Sequence, residues 1–132
     1  MKFKFDKVMV IDDNSIDLYI AGKLMAKHHF AENVLSFDTA MKALDYLEQH
    51  HNFPLELPEI ILVDIYMPVM SGFDFLEAYD KLSPELKQHC RVYVVSSTID
   101  EDDIRRVTEN VNVVGFGVKS LSKVFLDTIL VL

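Results

Sequence analysis

The sequence is poor in the residues that bend, staple or anchor a chain. It has one cysteine, four glycines and four prolines in 132 residues. A single thiol, Cys90, excludes an internal disulfide and fits a reducing compartment. Lys2, Lys4 and Lys7 stand near the start, but only Val8 to Ile11 follow as an apolar run, too short for a secretion signal. Nothing approaches transmembrane length, so we expect no membrane association and a cytoplasmic location. Basic charge is scarce too: 13 Lys and Arg against 21 Asp and Glu leave a net charge of −8. Phosphate neutralisation needs clustered cations, so direct DNA binding is not expected. There is no internal repeat, low-complexity tract or compositional break. Residues 1–132 therefore read as one domain, long enough for a single core.

What is present is a set of short apolar runs that end in polar residues. The most telling is Ile60-Ile61-Leu62-Val63-Asp64, followed by a Met67-Pro68 turn. A continuous apolar run bounded by turn signals suits a strand buried on both faces of a parallel sheet. Val8 to Ile11 runs into Asp12-Asp13, Val92 to Val95 into Ser96-Ser97-Thr98, and Val111 to Val118 into Lys119. Asn33 to Phe37 is a fifth strand. Helical patterns lie between these runs. Ile16, Tyr19, Ile20 and Leu24 share one face after an Asn14-Ser15 cap, in a helix reaching about His29. Asp38 caps a second helix carrying Ala40, Ala43, Leu44 and Leu47. His50 to Pro58 is a loop. Ser71-Gly72 leads into a helix with Phe73 and Leu76, and Pro84 marks a break or a short helix. Asp100 to Asp103 opens another, and Leu121 to Leu132 forms the last. Strand and helix alternate five times, which predicts a doubly wound α/β domain: a five-stranded parallel sheet with helices on both faces.

In such a sheet the carboxyl ends of the strands share one edge, where ligands bind. Asp12, Asp13, Asp64, Ser96 and Lys119 would meet there. Converging carboxylates raise one another's pKa. A hard divalent cation resolves that conflict, and oxygen ligands with waters remaining describe Mg²⁺. Three carboxylates, one ammonium and Mg²⁺ sum to zero charge. Such a site suits phosphoryl transfer to a carboxylate, with Asp64 as nucleophile and Lys119 and Ser96 sharing the charge of the transferred group. A hydrolase working through an aspartyl-phosphate would want a second acid two residues beyond the nucleophile. That residue is Tyr66.

The ordered set Val10-Ile11-Asp12-Asp13, Asp64-Ile65-Tyr66-Met67-Pro68 with Gly72, Val95-Ser96-Ser97 and Gly115-Phe116-Gly117-Val118-Lys119 resembles the receiver domain of two-component response regulators, over essentially the whole chain. The resemblance implies the flavodoxin-like strand order 2-1-3-4-5. It implies Asp64 as phosphoacceptor, supplied by a sensor histidine kinase or phosphotransfer protein. It also implies Mg²⁺ held by Asp12, Asp13, Asp64 and the backbone carbonyl of Tyr66. Ser96 would bond the phosphate and Phe116 would be the switch aromatic. The protein would then be a signalling switch rather than a turnover enzyme, acting on a separate downstream protein. The alternative is an interaction module on the same scaffold that works without phosphorylation. Family members usually carry proline after the lysine, often with a cis peptide bond; here it is Ser120. Tyr66 and Thr98 occupy the positions where the family tunes dephosphorylation, and neither is an acid or amide that readily orients water. Slow phosphate loss is therefore expected. Gly115 and Gly117 suggest a loosely held final strand. The apolar ending Leu130-Val131-Leu132 is either core or part of a patch for a partner or a second copy, as in a homodimer.

Overall fold

The computed structural model describes residues 2–98 and 100–132. A five-stranded parallel sheet forms its centre, in the order β2-β1-β3-β4-β5. The strands are β1 (Phe5–Ile11), β2 (Ala31–Phe37), β3 (Ile60–Val63), β4 (Arg91–Ser96) and β5 (Val113–Val118). Six α-helices lie among the described residues: α1 (Ser15–Lys27), α2 (Ala40–Gln49), α3 (Gly72–Asp80), α4 (Pro84–His89), α5 (Glu101–Thr108) and α6 (Lys123–Thr128). A single 3-10 turn, Pro54–Glu56, interrupts the loop before β3. The expected doubly wound architecture and strand order are both present.

The alternation of side chains along each strand divides the core in two. Met9 and Ile11, Ile61 and Val63, Val92 and Val94 face one way, into a cluster with Leu47, Phe75, Leu76, Tyr79 and Val107 of the helices α2, α3 and α5. Val8 and Val10, Ile60 and Leu62, Tyr93 and Val95 face the other, against Ala21 and Met25 of α1 and Leu126 of α6. Burial on both faces explains why these strands read as unbroken apolar runs. Cys90 lies buried beside Tyr79, and desolvation pushes its thiol pKa up to about 12. It is therefore a small apolar filler rather than a reactive thiol.

Three local expectations are corrected. The face of α1 that meets the sheet is the stripe Asp17, Ala21, Met25. Ile16, Tyr19 and Ile20 are instead 66%, 63% and 42% exposed. Thr39, not Asp38, caps α2: its Oγ1 accepts from the Lys42 amide at 3.2 Å, while Asp38 pairs with the Lys42 ammonium at 2.9 Å. The final helix stops at Thr128, Ile129 is buried beyond it, and Leu130, Val131 and Leu132 are exposed rather than core.

The glycines of β5 have a packing role. A methyl on Gly117 would come within 2.6 Å of the Phe125 ring, and one on Gly115 within 3.0 Å of the Tyr93 ring. These rings lie across the sheet edge where β-carbons would otherwise stand. β5 also pairs on one side only, with a register irregularity between Val92 and Tyr93 of its neighbour. An edge strand with two glycines and a broken ladder has little to hold it. Amide hydrogen exchange should therefore be faster along β5 than along β1 and β3; equal protection in all three would contradict this.

Candidate functional site

Strand register brings the polar residues together. Ile11 pairs with Val63, so β1 and β3 end level, and Val63 pairs with Val94, so β4 runs two residues further, to Ser96. The ladder runs one step further: the Asp64 amide donates to the Ile11 carbonyl, and the Asp12 amide to that of Phe37, both at 3.0 Å. Ser96 pairs with Val118, and the Lys119 amide donates to the Ser96 carbonyl at 3.0 Å. Each residue that follows an apolar run is thus delivered to the same edge.

The loop after Asp64 is shaped by two backbone devices. Gly72 opens α3 directly behind this loop, its amide donating to the Ile65 carbonyl at 2.7 Å. A methyl at Gly72 would collide with the carbonyl of Asp64 and come within 2.7 Å of the Ile65 Cα. Only glycine allows this approach. Ser71 caps the same helix in a reciprocal arrangement with Asp74. Ahead of it, Val69 adopts φ 68°, and the Met70 amide donates to the Pro68 carbonyl at 2.7 Å. A β-branched residue in the left-handed region is strained, and such strain gathers where a loop must hold one shape.

Asp12, Asp13 and Asp64 each present a carboxylate oxygen within 4.8 Å of the others. Asp12 and Asp64 are buried and Asp13 is exposed. One ammonium holds the group. Lys119 Nζ lies 2.6 Å from Asp12 Oδ2, 3.0 Å from Asp17 Oδ2 and 3.3 Å from Asp64 Oδ2. The Lys119–Ser120 peptide bond is cis. The other oxygen of Asp12 accepts from the Asn14 amide at 3.0 Å. A cavity of about 30 Å³, solvent-scale space, is lined by Asp12, Asp17, Ile20, Asp64, Lys119 and Leu121.

The electrostatics follow from burial and crowding. Desolvation raises the Asp64 pKa; Lys119 opposes it and the Asp12 charge adds to it, with the net direction upward. The Lys119 pKa is also raised. Desolvation works against its charge, but bonds to Asp12 and Asp17 and the charges of Asp64 and Asp12 outweigh that. The Ser96 hydroxyl is fully buried and has no hydrogen-bond partner among the described residues. It lies near enough to Asp64 to favour the charged carboxylate without making a bond of normal geometry. An unpartnered buried hydroxyl beside a carboxylate is an incomplete polar group of the kind an incoming oxygen would satisfy.

The structure therefore gathers Asp12, Asp13, Asp64 and Lys119, with Ser96 at the same edge. Phe116 stands apart, half-buried on β5 against the cluster that includes Val94 and Val107. The Tyr66 side chain turns away from the acids, and its hydroxyl is bonded to Thr98 Oγ1 at 3.0 Å and to the Asp103 carboxylate of α5. That carboxylate is the main reason the phenol pKa is raised. Sequence reasoning missed Asp17 and Asp103. Asp17 was legible only by choosing Ala21 and Met25 as the sheet-facing stripe of α1. Asp103 looked like an ordinary first-turn acid.

Comparison with known proteins gives one family. The family model described as "Response regulator receiver domain" matches residues 8–130. A rice protein, "Two-component response regulator ORR1" (Oryza sativa subsp. japonica), is 31% identical over 108 residues. That match takes in 80% of this chain but 45% of the rice protein, so the chain corresponds to about half of that relative. A two-component response regulator from Cytophaga hutchinsonii superposes with a TM-score of 0.87 at 24% identity, covering 95% of this chain and 93% of that one. A response regulator receiver protein from Dyadobacter fermentans superposes with a TM-score of 0.82 at 28% identity, covering 92% of each chain.

The raised Asp64 pKa has a measurable consequence. Asp64→Asn removes a buried charge while leaving Lys119 two carboxylate partners, and should stabilise the fold modestly near neutral pH. With the native pKa above the unfolded one, the native protein binds that proton more readily. Wild-type stability thus gains on the variant as pH falls through the carboxylate range. Urea unfolding of both proteins across that range checks this. A variant less stable at neutral pH, or a gap that widens on acidification, would contradict it.

Proposed function

The chain belongs to the response regulator receiver domain family, and from that premise we propose that it is a phosphorylation-dependent signalling switch with Asp64 as phosphoacceptor. Within this proposal residues 1–132 act as one receiver domain in the cytoplasm. The observation that carries it is the single edge on which two buried acids, one exposed acid and one ammonium meet beside an unpartnered buried hydroxyl.

The donor set fits a hard divalent cation: three carboxylates within 4.8 Å of one another, oxygen only, one of them open to solvent. Asp12, Asp13 and Asp64 would hold Mg²⁺, with the Tyr66 backbone carbonyl. When bound, the ion supplies positive charge against the phosphoryl oxygens. The chain's own residues do the rest. An Asp64 carboxylate oxygen attacks the phosphorus of a phosphohistidine. The new P–O bond forms as the P–N bond breaks, and the imidazole nitrogen keeps the electron pair and takes up a proton. Lys119 turns its ammonium to the transferred oxygens, and Ser96 donates its free hydroxyl to one of them. The inward pull of Ser96 and the turning of Phe116 then bias the segment around α5 and β5 between two arrangements.

The donor is a sensor histidine kinase or phosphotransfer protein. The outward face of α1 supports this. Ile16, Tyr19 and Ile20 form an exposed apolar stripe, and Ile20 also lines the cavity beside Asp64. An apolar stripe rimming a reactive carboxylate suits a docking partner that must bring phosphorus to that oxygen.

Incubation with a small-molecule phosphodonor and Mg²⁺ should add one phosphoryl mass, stable in acid and labile in base, that Asp64→Asn abolishes. Repeated release of phosphate would instead indicate a phosphatase, and no adduct would indicate a phosphorylation-independent module. The adduct should also last. The Tyr66 hydroxyl is engaged with Thr98 and Asp103, and Thr98 Oγ1 also accepts from the Asp100 amide, so neither is poised to orient a water at the acyl phosphate. Loss of the phosphate within seconds, followed by mass spectrometry, would contradict that.

A further inference from the structure

The proposed function uses Asp12, Asp13, Asp64 and Lys119 but gives no role to Asp17. Its position in the first turn of α1 would ordinarily be explained by the helix dipole. Here the carboxylate is instead committed to a residue 102 positions away: Asp17 Oδ2 accepts from Lys119 Nζ at 3.0 Å. Its placement is built. Asn14 Oδ1 accepts from the Asp17 amide at 3.1 Å, fixing the first turn, and Ala21 and Met25 bury the same stripe of α1 against the sheet. Asp17 does not belong to the group of three acids that could share an ion.

An ammonium has three protons to give. At Lys119 three carboxylates lie within ion-pair distance: Asp12 at 2.6 Å, Asp17 at 3.0 Å and Asp64 at 3.3 Å, the last two accepting hydrogen bonds from it. Two of these acids, Asp12 and Asp64, are the ones a cation would use. Each ammonium bond they accept occupies an oxygen that a metal needs, and brings a like charge close to the ion. Asp17 alone attracts Lys119 without offering an oxygen to the shared site.

We propose that Asp17 is a positioning residue: it draws the Lys119 ammonium toward α1 and thereby leaves the Asp12 and Asp64 oxygens available to a divalent cation. The inference rests on the cation-dependent reading of this edge given above. It assigns to α1 a part in setting cation affinity through Lys119, with no contact to the ion.

The test is a Mg²⁺ titration of the full chain, followed by amide NMR shifts and by calorimetry, in four proteins: wild type, Asp17→Asn, Lys119→Met and the double variant. Asp17→Asn should weaken Mg²⁺ binding roughly three- to tenfold, the scale of one partly exposed ion pair. In the Lys119→Met background the same substitution should change affinity less than about twofold. Equal weakening in both backgrounds would mean that Asp17 acts as a bare charge and would overturn the proposal, as would unchanged or tighter binding in Asp17→Asn. If Lys119→Met does not fold, Lys119→Gln takes its place. Wild-type protein that fails to bind Mg²⁺ would overturn the functional reading as well. Wild type that binds Mg²⁺ normally while Asp17→Asn is silent would overturn only the role of Asp17.

Discussion

One ammonium among four carboxylates is the constraint on which the rest of this structure depends. Asp12, Asp13, Asp17 and Asp64 gather at an edge where burial already penalises charge, and Lys119 is the cation that bonds three of them. Repulsion on this scale persists only where the surrounding fold overdetermines it. The overdetermination is visible in the backbone. Two inner strands end level, the ladder extends to Asp12, Asp64 and Lys119, and Gly72 lets α3 back directly onto the loop after Asp64. The core under both faces of the sheet keeps these strand ends from drifting apart to relieve their charge.

Much of this was legible in the sequence because each signal was strong and short-range. A strand buried on both faces has nowhere to hide a charge, so an apolar run that stops at an aspartate marks its own end. Once β1, β3, β4 and β5 are parallel, their final residues have one edge to share. The site is therefore readable without knowing any helix. What resisted reading were choices among near-equals. α1 carries apolar residues at 16, 18, 19, 20, 21, 24, 25 and 26, nearly all round its circumference. Periodicity cannot choose its inner face, although the small Ala21 lets the helix lie close to the sheet. Asp38 and Thr39 are both good caps, and a difference of one residue decided between them. The direction taken by the Tyr66 side chain, and the partners of Asp17 and Asp103, depend on tertiary contacts with no local signature.

The two faces of the sheet are unequal. α2, α3, α4 and α5 cover one side, and α1 with the short α6 covers the other. Beside the acid edge this thinner side ends in Ile16, Tyr19 and Ile20, exposed apolar side chains on a helix whose opposite stripe reaches Lys119 through Asp17. A single helix thus carries both an exposed apolar surface beside the acid edge and a carboxylate bonded to Lys119.

Tyr66 lies two residues beyond Asp64, yet its hydroxyl is fastened to Thr98 and to Asp103 on the first turn of α5. The loop that follows Asp64 and the helix flanking β5 are therefore joined by one aromatic strut. A strut of fixed length couples displacement in both directions: a pull on the Ser96–Thr98 segment loads Tyr66, and anything that grips α5 from outside bears back on the segment holding Asp64. Displacement of α5 and displacement at the acid edge then share one mechanical linkage through Tyr66.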